Sequence, residues 1–257
     1  MHFKTLAYLV FLATCSLSGC VSTNSANTAD IKTQIAIEHI RIGNIDKAKN
    51  ALDEALAKNP NNPQTLMMMG ITHQLVGTLD SLKAAEQYFI KALKYSPIDA
   101  QIRNNYGQYL FVIERYEDAI KQFNIASNTI GYSGRDVSLN NLGQSYLRLN
   151  KPIDAKNLFL RTLQINSKNT EALIGLAESY YLLNDSDQAA DVFQDYVDLI
   201  GRTRLEPKAL WLGIRIDRMN NNMVSMREYV EELSTKYPKS SEFQKYLEQR
   251  SQKNVWK

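Results

Sequence analysis

The side chains that could carry reactive or metal-binding chemistry are few in this chain of 257 residues. Its cysteines, Cys15 and Cys20, both lie near the N-terminus, so the body of the chain has neither a disulfide framework nor a zinc–thiolate site. His39 and His73 have no carboxylate recurring beside them and are expected to pack inside the fold, with a metal or catalytic pair as the alternative. The sequence contains none of the motifs G-x-S-x-G, H-E-x-x-H, G-x-x-x-x-G-K-[ST] and G-x-G-x-x-G. We therefore expect that the chain is not an enzyme and has no cofactor or metal.

The first twenty residues indicate a modification at Cys20 instead. Lys4 precedes a mostly apolar run over residues 6–17. That run is too short for a membrane span, which needs about 20 residues, and is typical of a secretory signal peptide. Leu17-Ser18-Gly19-Cys20 resembles the bacterial lipobox. This resemblance implies cleavage after residue 19, a diacylglyceryl group on the Cys20 sulfur and a fatty acyl group such as palmitate on its amine. The alternative is an ordinary signal peptide that happens to contain a cysteine.

Lipidation would determine where the protein resides. Each buried acyl CH₂ contributes about 0.8 kcal/mol, so two or more chains anchor a protein stably. By resemblance to sorted lipoproteins, Val21 in place of an aspartate implies the outer membrane, on its periplasmic face. Residues 20–29 are small and polar and predict a flexible tether between the lipid and the folded body.

A repeat with a period in the mid-thirties runs through the rest of the chain. Small residues recur with spacings of 34, 37, 36, 34 and 36 at Ala36, Gly70, Gly107, Gly143, Ala177 and Gly213. A second series is Ala48, Ala85, Ala119, Ala155, Ala189 and Ser225, followed four residues later by Leu52, Phe89, Phe123, Phe159, Phe193 and Tyr229. Small residues let two helices approach closely, and a ring one turn further along the same face fills the gap to the next pair.

This pattern resembles the tetratricopeptide repeat (TPR), whose unit is two antiparallel helices. We predict an all-α fold over residues 30–250: a TPR superhelix of six helix-turn-helix repeats followed by a short C-terminal capping helix. The predicted units are 29–62, 63–99, 100–135, 136–169, 170–203 and 204–238, with the cap at 240–250. In the second unit, extra residues near Thr78–Lys83 predict a longer turn. Gly131 and Gly134 predict a longer loop at the end of the third.

Composition limits the partners. The chain has 30 Lys and Arg against 27 Asp and Glu, a net charge of +3, which gives no electrostatic footprint for nucleic acid. We expect a monomer that binds other proteins.

The predicted binding groove lies along the first helix of each unit. We expect it to be lined by residues three before, one after and four after the small residue. The apolar part in units 1 and 2 would mark an interaction site, unless the tether or a neighbour covers it. In units 3 and 4, side-chain amides could pair with the backbone of an extended peptide. The candidate residues are Ile37, Ile40, Met67, Ile71, Gln74, Asn104, Gln108, Phe111, Asn140 and Gln144.

Some stretches exceed what a generic repeat requires. They are residues 104–110 (NNYGQYL) leading to 115–119 (RYEDA), and 212–215 (LGIR) followed by Tyr237-Pro238. With the lipobox and six repeats, they resemble the type IV pilus biogenesis lipoproteins of the PilF/PilW family, the TPR-type pilotins of the pilus secretin. This resemblance implies an outer-membrane adaptor that promotes secretin localisation and multimerisation, and hence pilus biogenesis, stability and twitching. The degenerate sixth repeat leaves the role of that end open.

Two other classes of function remain open at this point. One is a generic TPR scaffold lipoprotein of another envelope machine, such as outer-membrane protein insertion or cell-wall synthesis. The other is an enzyme accessory or substrate-binding lipoprotein, which would require a convergent cluster of titratable residues.

Overall fold

The computed structural model describes the backbone of residues 18–251 and the side chains of residues 27–251. Residues 1–17, which are most of the predicted signal peptide, and the side chain of Cys20 lie outside this part. The helices are α1 (Ser18–Arg41), α2 (Ile45–Lys58), α3 (Pro63–Val76), α4 (Leu79–Tyr95), α5 (Ala100–Val112), α6 (Tyr116–Asn128), α7 (Arg135–Arg148), α8 (Pro152–Ile165), α9 (Thr170–Leu182), α10 (Ser186–Ile200), α11 (Pro207–Met219), α12 (Met223–Lys236) and α13 (Ser241–Ser251). A 3₁₀ turn, Arg202–Arg204, follows α10. Over residues 18–251, no helix is both long and apolar enough to span a bilayer.

Helices that follow each other in the chain pack as pairs: α1 with α2, α3 with α4, α7 with α8, α9 with α10 and α11 with α12. Helix α13 packs on α11 and α12. The prediction of six helix pairs with a capping helix is confirmed. The chain divides into two compact units, unit 1 up to Tyr109 and unit 2 from Leu110. In unit 1, α3 contacts both α1 and α2. In unit 2, each pair from α7 onward packs on the next.

Turn residues set the length of each first helix. Gly43 and Gly77 have φ values of +74° and +72°, a left-handed conformation that glycine adopts without steric cost. In the later pairs this position is taken by Glu114, Asn150, Asn184 and Asn221, all with positive φ. Asparagine tolerates this region, whereas glutamate does not favour it.

Side-chain caps and prolines begin many of the helices. Oδ1 of Asn62 accepts from the backbone N–H of Thr65 at 3.0 Å, and Oδ1 of Asn169 accepts from that of Ala172 at 2.9 Å. Each bond satisfies a donor that the first turn would otherwise leave unpaired. Pro63, Pro152 and Pro207 occupy the first position of their helices, where the missing N–H costs nothing.

The ring series forms the core between pairs. Phe159 is fully buried, and its ring lies between Gly143 of its own pair and Gly175 of the next. A Cβ atom would stand 2.7 Å from the ring at residue 143 and 2.5 Å from it at residue 175. In unit 1, the Phe89 ring approaches Gly70 in the same way, with a would-be Cβ at 3.0 Å. The predicted role of these rings is therefore confirmed.

Two predictions about helix boundaries were wrong. Residues 20–29 belong to α1 rather than to a coil, and Ala29 is fully buried. Residues 21–41 contain neither glycine nor proline, so nothing stops the helix from extending towards the N-terminus. The extra residues near Thr78–Lys83 lengthen α4 to 17 residues instead of its turn, because Thr78 caps the helix by accepting from the N–H of Ser81.

Candidate functional site

The apolar candidates in unit 1 lie on two helices that contact each other. Ile37 and Ile40 are on α1, and Ile71 and Gln74 are on α3. All four side chains are partly exposed. They are spaced by three residues on each helix, so each pair shares a helix face. This arrangement offers apolar surface on neighbouring helices with an amide at one end.

Met67 differs from the prediction, since it is buried. The Nδ2 of Asn105, on α5, donates to its sulfur at 3.4 Å. The neighbouring helix therefore covers a position that the repeat pattern placed on the open groove. Met67 supports the groove from beneath rather than contacting a ligand.

The α5 candidates divide between buried and exposed positions. Asn104 is buried, whereas Gln108 and Phe111 are partly exposed. The Phe111 ring meets Tyr116 edge-on, with 5.3 Å between centroids, and the Arg148 guanidinium lies 5.6 Å from the Phe111 centroid. The contacts of Phe111 are thus those of a packed ring with one open side.

Asn140 on α7 is buried, and its Oδ1 has no hydrogen-bond partner in residues 27–251. Gln144, one turn along the same helix, is partly exposed. Leaving a buried carbonyl oxygen unpaired costs about 1–3 kcal/mol. A backbone N–H from a bound segment would satisfy this acceptor, which is the role that the sequence predicted for the amide.

The histidines pack within unit 1. The rings of His73 and Tyr88 are stacked, with 5.4 Å between their centroids. Burial, and then the positive charge of Lys49, lower the pKa of His73 below its usual 6.5. His39 is partly buried, and its Nδ1 has no hydrogen-bond partner among the described residues. In the same residues, no group of three or more His, Cys, Asp or Glu side chains could hold a metal ion.

A charged cluster on α9 and α11 in unit 2 was not predicted from the sequence. The Arg215 guanidinium lies 4.7 Å from the Tyr181 ring and 5.6 Å from the Trp211 ring. Arg215 and Lys208 each approach the Glu178 carboxylate at 3.8 Å. Glu178 and Tyr181 stand one and four residues after Ala177, so the groove rule extended to the fifth unit would have found them. These contacts join the last two helix pairs.

The sequence matches the tetratricopeptide repeat family over residues 78–130 and 140–201. The type IV pilus assembly protein PilF of Pseudomonas aeruginosa is 27% identical over 250 residues, covering 93% of this chain and 97% of that protein. The solved structure of P. aeruginosa PilF superposes with a TM-score of 0.78 at 25% identity, covering 88% of this chain and 99% of the other. The chain has a tetratricopeptide-repeat fold and is similar to PilF and PilW.

The structure of PilW, described as a widely conserved type IV pilus biogenesis factor, matches with a TM-score of 0.76 at 25% identity. The match covers 85% of this chain and 98% of the PilW chain. Among tetratricopeptide-repeat proteins of this kind the helices serve as an interaction scaffold, and the chain is not an enzyme. The functional question is therefore which surface binds which protein.

Proposed function

We propose that this TPR protein is a pilotin, a lipid-anchored adaptor that binds the type IV pilus secretin and promotes its multimerisation in the outer membrane. The similarity to PilF over nearly the full length of both chains carries this proposal. The lipobox-like residues 17–20 supply a route to the membrane. Cys20 would carry the diacylglyceryl and acyl groups and hold the protein on the periplasmic face.

The partly exposed isoleucines of α1 and α3 are the proposed contact for the secretin. An amphipathic or extended client segment would place its apolar side chains against Ile37, Ile40 and Ile71. Unit 2 offers a separate proposed contact, in which the unpaired Oδ1 of Asn140 would accept from a client backbone N–H. The unit nearest the lipid would then hold the client close to the membrane.

The test is the affinity of the purified protein for the C-terminal region of the secretin. Ile71→Asp should weaken binding at least about tenfold, because a carboxylate in an apolar contact is desolvated without a partner. Leu79→Asp is the matched control, because Leu79 is exposed at the start of α4, where an acidic residue suits the helix dipole. It should bind normally.

Melting curves separate loss of binding from loss of fold. Ile40→Asp, on the neighbouring helix, should repeat the effect if Ile71→Asp unfolds the protein. Full affinity in both folded variants would contradict this contact. Failure of the wild-type protein to bind any secretin region would contradict the pilotin proposal itself.

A further inference from the structure

Helix α1 carries a stripe of large apolar side chains that no described residue covers. The members of this α1 stripe are Ile31 and Ile35 of the helix and Ile42, which directly follows it and whose N–H still donates to the Glu38 carbonyl at 3.2 Å. Their side chains are 54%, 40% and 67% exposed. At 3.6 residues per turn, they lie within about 40° of one another around the helix axis and extend along about 16 Å of it. Single exposed aliphatic residues are normal, but three aligned along a helix and the residue that follows it indicate an interaction surface.

The later helix pairs show what normally covers this position. Ile35 directly precedes the small residue Ala36 of the first pair. Its equivalents are 1%, 7%, 2%, 2% and 2% exposed, in the order Met69, Tyr106, Leu142, Leu176 and Leu212. The same sequence position is thus buried in every later pair and open in the first.

In those pairs the second helix of the preceding pair packs against this side of the first helix. Helix α2 packs on α3, α6 on α7, α8 on α9 and α10 on α11. On α5, the Tyr106 ring stacks on Phe89 of α4 with 5.6 Å between centroids, and its hydroxyl donates to Oε1 of Glu86 at 3.0 Å. Helix α1 has no such predecessor within residues 18–251.

The C-terminal end of the repeats is covered by a helix, whereas the α1 stripe at the N-terminal end is not. Helix α13 packs on α11 and α12, and Tyr246 is buried there. A second copy of the chain therefore has no uncovered second helix at its C-terminal end to place on α1. Terminal repeats of such arrays normally present a polar outer face, which α13 provides and α1 does not.

Charges beside the α1 stripe are already paired. Arg41 contacts Glu38 at 2.8 Å, and Lys32 contacts Glu54 at 2.6 Å. These pairs leave no surplus of positive charge that would attract an anionic lipid surface. What the stripe lacks is an apolar neighbour, rather than a counter-ion.

We infer that the α1 stripe is a docking surface for an amphipathic α-helix of a partner protein. The partner helix takes the place of a second helix preceding α1. The second helices of this chain have 13 to 17 residues, and a partner segment of similar length spans the stripe. It presents apolar residues at spacings of three and four along one face. This surface is distinct from the proposed secretin contact and does not depend on a role in pilus assembly.

The test uses a helix that already performs this packing as the probe. A fluorescein-labelled peptide of residues 186–200 reproduces α10, which packs on α11, the helix that carries the buried Leu212. It is titrated against the full chain carrying Cys20→Ala, which removes the lipid. We expect a dissociation constant of about 1 mM or tighter. Ile35→Glu should weaken binding at least about tenfold.

Ile98→Glu is the matched control, since Ile98 is 79% exposed in the loop between α4 and α5 of the same unit. It should bind the peptide as the parent chain does. Circular dichroism should show that all variants are folded. If Ile35→Glu is not folded, Ile31→Glu replaces it in the binding measurement. No saturable binding, or equal losses in Ile35→Glu and Ile98→Glu, would overturn the proposal.

Two further results would assign the stripe to another occupant and overturn the partner helix. The first is a concentration-dependent dimer, seen by light scattering, that Ile35→Glu disperses, because it would identify a second copy. The second is flotation with phosphatidylglycerol vesicles that Ile35→Glu abolishes while peptide affinity is unchanged.

Discussion

Two aspartates in unit 2 have carboxyl groups whose pKa values are displaced in opposite directions. Burial raises the pKa of Asp217, and its Oδ2 has no hydrogen-bond partner among the described residues. Hydrogen bonds from Lys121 and then Arg115 lower the pKa of Asp118. Folding therefore disfavours the ionised form of Asp217 and favours the ionised form of Asp118.

Asp217→Asn should stabilise the protein at neutral pH. Because the pKa of Asp217 is higher in the folded state, protonation of its carboxyl group favours folding. This contribution to stability is present below the ordinary pKa of 3.8 and is lost as the pH rises through the folded pKa. The amide removes this loss and keeps an Oδ1 for the 3.4 Å contact from Asn222 Nδ2. Thermal melts at pH 7 should show a gain of a few degrees at most. A gain that persists undiminished at pH 4 would contradict the assignment.

Asp118→Asn is the matched comparison and should have the opposite sign. A lowered folded pKa gives stability that is present above 3.8 and lost as the pH falls through the folded value. The variant should melt below the parent at pH 7 and approach it under strongly acidic conditions. The effect should be small because Asp118 is partly exposed and its ion pairs are screened by solvent.

The burial of single groove residues was the part that sequence could not predict. The repeat pattern placed Met67 and Asn140 on the helix face that lines the groove. The neighbouring side chains decide whether that face is open, and Asn105 closes it over Met67. Such contacts join residues 38 positions apart, which a spacing rule within one helix does not represent.

At the scale of the elements, the turn after α5 contains a residue unsuited to its backbone. Glu114 has φ +62°, whereas the equivalent Asn150 has φ +55°. The left-handed region costs most side chains about 1–2 kcal/mol, and asparagine visits it more readily. Glu114→Asn should therefore stabilise the protein, and Asn150→Glu should destabilise it, each by about 1 kcal/mol or less. Urea denaturation checks both, and equal signs for the two variants would rule out this explanation.

The rings between pairs give a second prediction for the elements. Phe123→Ala and Phe159→Ala should each cost about 3–5 kcal/mol, because a fully buried ring is lost and a cavity remains. Tyr229→Ala should cost less, since Tyr229 belongs to the last pair and fewer neighbouring interfaces depend on it. Chemical denaturation of the three variants makes the comparison. Equal losses would show that position along the array has no influence.

The helices were predictable from the sequence because the same residue pattern recurs in successive repeats. Small residues, rings and turn prolines recur together, so one irregular unit does not hide the pattern. The first helix was the exception. Its start carries no repeat signal, and its polar residues 21–29 suit a coil or a helix about equally by composition. Ala29 and Thr33 are buried, and the hydroxyl of Thr33 contacts that of Thr65 at 2.7 Å. This packing stabilises the helix over the coil.

At the scale of the whole molecule, the proposed function joins a membrane anchor to a repeat scaffold with two kinds of surface. The groove candidates of α1 and α3 and the α1 stripe both belong to the first helix pairs of the chain. Under the proposal this places them beside the lipid attachment point in the sequence. On this proposal, a client captured there would be held near the membrane by connectivity alone, without any movement of the scaffold.

Cys20→Ala should separate folding from location. Cys20 precedes every packed side chain that the structure describes, so the circular dichroism and the melting temperature of the variant should match those of the parent protein. Membrane fractionation should find the variant away from the outer membrane, because the acyl chains that hold it are missing. The secretin should then remain as monomers or stay with the inner membrane. Cys15→Ala is the matched control, since residue 15 lies in the predicted signal peptide, and this change should leave both proteins in place. Normal secretin multimers in the outer membrane with Cys20→Ala would exclude a lipid-dependent pilotin.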